Sequence, residues 1–280
     1  MKPVLFAYFN LTLLLGAAAS NAETLLERGA YLVQGPMACG NCHTPKGPDG
    51  PMMDREMGGG FVIEDPAFTV HVPNITPGSR VGEWSDADLA RAIREGVRPD
   101  GSIIRPPMAI PLYRHISDDD IAAVVAYLRS LPPIENEVPE SSYNIPLPPT
   151  YGPPVGPVAS PARGVTAEYG EYLVTIAHCM ECHTPIGPQG HLYETDLGRG
   201  GREFHGPFGT SVSPNLTSHA DGLAEYSDEE VGRMITEGIH ADGSQMLPPM
   251  PYGWFARMTP DDLSAIILYL RTVPPLPDAG

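Results

Sequence analysis

Two pentapeptides hold every cysteine of this 280-residue chain: Cys39-Gly-Asn-Cys42-His43 and Cys179-Met-Glu-Cys182-His183. Cysteines three positions apart lie about one helical turn from each other. Both thiols of a pair can therefore add to the vinyl groups of one porphyrin, and the adjacent histidine can face its iron. C-x-x-C-H is the attachment signature of c-type haem. A structural zinc site takes four nitrogen or sulfur ligands, and each motif is one short. A thioredoxin-like thiol pair belongs in a βαβ pattern, and none is visible. The expected cofactor is two covalently bound haem c groups, attached through Cys39 and Cys42 and through Cys179 and Cys182. That use of the thiols leaves no disulfide framework.

The motifs recur because the whole chain recurs. At an offset of 140 to 142 residues, Arg28-Gly-Ala-Tyr-Leu-Val33 aligns with Tyr169-Gly-Glu-Tyr-Leu-Val174. Each Cys-His motif continues as Thr-Pro-x-Gly-Pro. Pro73-Asn-Ile-Thr76 aligns with Pro214-Asn-Leu-Thr217, Pro106-Pro-Met108 with Pro248-Pro-Met250, and Tyr127-Leu-Arg129 with Tyr269-Leu-Arg271.

Each copy predicts the same three helices. The entry helix carries Leu25, Gly29, Leu32 and Val33, or Gly170, Leu173 and Val174. The middle helix starts at Ser85 with Asp88, or at Ser227 with Glu230, in capping-box fashion, and stops at Gly96 or Gly238. The last helix starts at Ser117, or at Thr259 with Pro260 in first position. It buries Ile121, Val124, Val125 and Leu128, or Leu263, Ile266, Ile267 and Leu270, at the spacing of one helical face. No strand pattern competes. Between the copies runs a Pro-rich segment that reads as a semi-extended linker.

On these residues each half resembles a class I cytochrome c domain. The fold class expected is mainly α, two tandem class I cytochrome c domains joined by the linker. The boundaries are a signal peptide at 1–22, domains at 23–133 and 164–280, and the linker at 134–163. The resemblance implies that the first and last helices cross where Gly29 meets Tyr127 and Gly170 meets Tyr269. It makes His43 and His183 the proximal iron ligands and places the second ligand in a proline-bearing loop after the middle helix. Of eleven methionines, only Met108 and Met250 recur in register there. A preceding proline restricts the backbone of a loop that must hold one weak bond. The remaining histidines have no histidine partner in the other copy and read as solvated or locally bonded side chains. Trp84, Tyr226, Asn74 and Asn215 are candidates either for haem propionates or for local packing and turn capping. Arg98 can pair with a propionate, and His240 replaces it in the second copy. Loss of a permanent cation lowers the potential of a nearby haem, so the two haems are expected to differ.

The net charge of −17 and the absence of a basic run argue against nucleic acid or an anionic membrane surface as partner. Lys2, the apolar stretch Val4–Ala19 and Ser20-Asn21-Ala22 read as an export signal cleaved near Ala22, which implies the periplasm. Membrane association is then expected only through a partner or an uncleaved signal. The chain further resembles the cytochrome subunits of periplasmic alcohol and aldehyde-type dehydrogenases. That implies an electron carrier with no catalytic residues, taking single electrons from an exported dehydrogenase and passing them to a cytochrome or oxidase. The alternative is a dihaem peroxidase in which one iron loses its distal ligand.

Overall fold

The structure is a computed structural model describing residues 23–188 and 190–278. The expected export signal lies outside the described residues. In the first half the helices are α1 (Leu25–Gln34), α2 (Cys39–His43), α3 (Asp86–Glu95), α4 (Ile110–Tyr113) and α5 (Asp118–Ser130). In the second they are α6 (Ala167–Ile176), α7 (Cys179–His183), α8 (Asp228–Glu237), α9 (Tyr252–Phe255) and α10 (Pro260–Leu270). No helix among the described residues is long and apolar enough to cross a membrane.

The expected entry, middle and last helices form with the expected caps. Ser117 and Thr259 each accept a hydrogen bond from the backbone N–H three residues on. Gly96 and Gly238 end α3 and α8 at φ 69° and 66°, the left-handed conformation that glycine adopts without a Cβ penalty. One cap differs from expectation. Ser227 and Glu230 make a full reciprocal capping box, but Ser85 and Asp88 do not. The Asp88 carboxylate instead accepts from the Ser85 hydroxyl at 2.7 Å; it is one methylene shorter than the glutamate at the matched position. A full box does form at Thr24 and Glu27.

Short strands, which the sequence pattern did not reveal, complete each half. Val62–Asp65 pairs antiparallel with Phe68–His71, and Glu203–Gly206 with Gly209–Val212. Four residues give too few alternations for a period of two to stand out. The linker supplies a third strand, Ser142–Tyr143, beside Phe68–His71. The remainder of the linker is also held to the first half. Asp118 donates its backbone N–H to Val158 at 2.9 Å, Ser160 donates to Asp119 at 2.8 Å, and Val155 donates to Glu95 at 3.1 Å.

Each half is organised by the crossing of its first and last helices. A Cβ added at Gly29 would fall 1.9 Å from the carbonyl oxygen of Ala123 and 2.9 Å from Tyr127 Cβ. At Gly170 the same distances to Ala265 and Tyr269 are 1.9 and 2.9 Å. Behind the crossing, Arg129 donates to the carbonyls of Val81 and Trp84 and to Asp86. Arg271 does the same to Leu223, Tyr226 and Asp228. The arginine of each Tyr-Leu-Arg thereby ties the last helix to the loop that opens the middle helix.

The halves share one continuous apolar core, and their contact is reciprocal. The Tyr31 hydroxyl donates to Asp262 at 2.5 Å and accepts the Thr259 backbone N–H at 3.2 Å. The Tyr172 hydroxyl donates to Asp120 at 2.7 Å and accepts the Ser117 backbone N–H at 3.2 Å. Each tyrosine thus inserts into the N-terminus of the other half's last helix, which is the arrangement of a two-fold axis within one chain. Symmetry fails at Arg28, which is buried and pairs with Asp120 through two hydrogen bonds of 2.8 Å. Its counterpart is Tyr169, whose hydroxyl lies 3.4 Å from the Arg28 guanidinium.

Gly29→Ala is expected to cost about 1–3 kcal/mol or more, as overpacking against immovable backbone does, with a loss of Tm readable by circular dichroism. Burial disfavours the Asp120 anion, but the Arg28 hydrogen bond and charge and the Tyr172 hydroxyl outweigh it and hold this carboxyl below its ordinary value. A depressed folded pKa contributes stability that is full above the unfolded value of about 3.9 and is lost below it, as pH falls through the folded value. Tm should therefore drop below about pH 4, and Asp120→Asn should flatten that slope.

Candidate haem sites

The one-turn helices α2 and α7 present the two motifs. Each is entered through a left-handed residue, Ala38 at φ 46° and His178 at φ 48°. This kink turns the chain from the entry helix into the motif. The four cysteines are free of disulfides. His43 and His183 are each 8% exposed. Their Nδ1 atoms lie 2.9 and 2.8 Å from the carbonyl oxygens of Pro73 and Pro214. A carbonyl can only accept, so Nδ1 carries the proton in each ring and Nε2 keeps its lone pair. Burial pushes both imidazoles below their ordinary pKa, opposed by these carbonyls. A neutral imidazole with a free Nε2 is what an axial iron ligand requires.

In the first half, Cys39, Cys42, His43 and Met108 line one cavity of about 1650 Å³. That exceeds the usual range for small-ligand pockets, roughly 300–1,000 Å³. Its walls combine apolar side chains of α3 and α5 with Tyr113 and Trp84, and Arg80, Arg98 and Arg105 reach it. In the second half, Cys179 and Met250 pack against one apolar cluster with Trp254 and Phe255. The Pro106-Pro107 and Pro248-Pro249 peptide bonds before the two methionines are both cis. After them, Ile110 and Tyr252 donate backbone N–H groups to the Met108 and Met250 carbonyls at 2.8 and 3.0 Å. Among the described residues no three His, Cys, Asp or Glu side chains converge on a bare metal ion. The buried imidazole, the paired cysteines and the large, mainly apolar cavity fit a porphyrin, and the donor set does not fit zinc.

The Cytochrome c family profile matches twice, over residues 26–132 and 167–274. The chain belongs to the cytochrome c family. It is an electron-transfer protein of mainly α fold with two tandem cytochrome c domains, and it holds two covalently bound haem c groups. It is 30% identical over 283 residues to the cytochrome c subunit of an alcohol dehydrogenase (quinone) from Gluconobacter oxydans (strain 621H), covering 91% of this chain and 56% of that protein. It is 26% identical to the fructose dehydrogenase cytochrome subunit of Gluconobacter japonicus, covering 94% and 55%. A diheme cytochrome c-type protein of Cereibacter sphaeroides is 28% identical, with 84% and 82% covered. The chain thus spans little more than half the length of the first two relatives.

Around the two sites, several candidate side chains have defined surroundings. Asn74 donates to the Ile134 carbonyl at 2.6 Å and accepts from the Thr76 backbone and hydroxyl at 2.9 and 2.8 Å. Asn215 repeats this with Leu276 and the Thr217 backbone. These bonds pin the loop, as turn capping would, and Asn74 also lines the first cavity. Trp84 lines the first cavity and packs on the core, while Tyr226 is 37% exposed. Arg98 lines the cavity and donates to Ser102 and the Ile103 carbonyl at 3.1 and 3.0 Å. Burial, with Arg80 and Arg105 nearby, lowers its pKa. His191, His205 and His219 bond locally, to Arg202, Thr210 and the Asp221 backbone. His71 and His178 instead line the first cavity.

Two features went unseen in the sequence. Tyr143 of the linker donates to the Pro106 carbonyl at 2.9 Å, bracing the methionine loop of the first half. Glu181, between Cys179 and Cys182, is pushed up to about 7 by burial, partly offset by the Arg202 guanidinium. Its counterpart Asn41 carries no charge.

Because His240 and Leu247 stand where Arg98 and Arg105 stand in the first half, Arg98→Gln is expected to lower one midpoint potential and leave the other unchanged. Spectroelectrochemical titration of the purified protein reads this directly; two waves moving together would contradict it.

Proposed function

We propose that this chain is an exported one-electron carrier, with the first iron held by His43 and Met108 and the second by His183 and Met250. The observation that carries this reading is the repetition of the donor arrangement. Both halves bury a histidine whose Nδ1 is tied to a proline carbonyl, and both bring a Pro-Pro-Met loop to the same surroundings as the attachment cysteines. Haem with imidazole and thioether ligands supplies a reversible Fe(II)/Fe(III) couple of raised potential.

The residues then act by holding rather than by reacting. Pro73 and Pro214 fix the imidazole orientation and tautomer. The prolines before Met108 and Met250 limit the freedom of the loop, and Tyr143 braces it in the first half. The apolar side chains of the wall would limit access of water to a bound haem. Held by one histidine and one methionine, each iron would have no ligand position left for a substrate. Identical donor sets in the two halves favour this over the peroxidase reading, which needs one iron to differ.

The names of the relatives support a dehydrogenase as donor, and a respiratory cytochrome or oxidase is the acceptor we infer. The reading places the protein in the periplasm, with cleavage near Ala22 and domains at 23–133 and 164–280 around the linker.

Met108→Ala and Met250→Ala should each remove about half of the weak long-wavelength thioether-to-iron band of the oxidised protein and leave one haem high-spin, and the double variant should lose the band entirely. A band that survives either substitution would refute the ligand assignment. Reduction of the wild-type protein by an exported dehydrogenase fraction, without peroxide turnover, would separate the carrier from the enzyme.

A further inference from the structure

We propose that His178 couples the two haem sites, forming the contact through which a single electron passes from one half of the chain to the other. The inference rests on the carrier reading above and names the internal route.

His178 belongs to the second half and is peptide-bonded to Cys179. Its side chain nevertheless lines the cavity of the first half, with Cys39, His43 and Met108. There its ring meets the edge of Tyr113, at a centroid distance of 6.0 Å and an interplanar angle of 83°. Tyr113 is itself 5% exposed and lines the same cavity. From the wall of the first site to the attachment cysteine of the second there is therefore one side chain and one residue of backbone.

The α9 indole of Trp254 is seated against α2, where a Cβ on Gly40 would fall 2.1 Å from its ring. Electronic coupling falls steeply with the gap an electron must cross, so a ring bridging two sites outweighs a longer path through backbone.

Local structure does not demand a histidine here. The matched residue is Ala38, at φ 46° against 48° for His178. Alanine is accommodated in this conformation within the same chain, so the backbone does not require the imidazole, which besides Tyr113 has Glu181 Oε2 at 3.7 Å from its Nδ1. In the transfer one iron goes from Fe(II) to Fe(III) and the other from Fe(III) to Fe(II). No bond forms or breaks and no proton moves.

The test uses the holoprotein, half-reduced, with the haem methyl resonances of each site resolved by paramagnetic NMR. Exchange broadening that does not change with protein concentration reports electron exchange inside one molecule. His178→Ala should slow this exchange at least severalfold while both midpoint potentials and low-spin spectra stay put. His178→Phe, which restores a ring, should recover most of the rate. If His178→Ala does not fold, Tyr113→Leu should slow the same exchange by removing the other ring of the contact. Unchanged exchange in His178→Ala, or a loss accounted for by shifted potentials, would overturn the proposal. A wild-type protein whose two haems do not both reduce reversibly would overturn the carrier reading itself, and the coupling with it.

Discussion

The fold depends on one steric constraint, stated twice. Where the first helix of each half crosses the last, there is no room for any side chain on the first helix. Gly29 lies against the Ala123 carbonyl and Gly170 against that of Ala265. Once those backbones touch, the rest of each half follows. The entry helix ends a few residues later, and beyond its cap a left-handed residue, Ala38 or His178, leads into the attachment turn. The last helix carries its arginine to the loop before the middle helix. The cavity is the space these three supports leave open. Its walls come from the helices, loops and linker packed around it, while the motif supplies the anchoring cysteines and the buried imidazole.

The two halves share this frame and differ in what surrounds it. Three arginines reach the first cavity, while His240 and Leu247 replace two of them in the second half. The linker is bound along the first half, closes part of its cavity wall and braces its methionine loop through Tyr143. Such differences act on the environment of the metal and leave its donors alone, which is how a duplicated protein can hold two centres of different potential with one ligand set.

Much of this was legible in the sequence. The spacing of Cys39, Cys42 and His43 and its repetition announced the cofactor. The capping residues Ser117, Thr259, Gly96 and Gly238 marked helix ends, because those interactions are local and specified by residue type. Four-residue strands were invisible, since too little alternation is present to register. Asp88 illustrates a finer miss, because a carboxylate one methylene shorter fills the expected position without completing the expected box. The reciprocal Tyr31–Asp262 and Tyr172–Asp120 contacts were hidden for another reason. Their residues appear in the repeat as pattern, and only the arrangement of one half against the other shows that each completes its partner. The same holds for His178, which sequence marks only as an unmatched histidine.

That reciprocal contact has a further meaning. Each half carries both the tyrosine and the aspartate, so two copies of either half could in principle satisfy one another in the manner of an isologous dimer. At the axis of such a dimer every residue must face its own identical twin, and Arg28 would confront Arg28 across a buried seam. Joining the subunits in one polypeptide lifts that restriction. Arg28, paired with Asp120 of its own half, can then face Tyr169 in place of a second arginine, so the buried seam holds one cation where exact symmetry would place two.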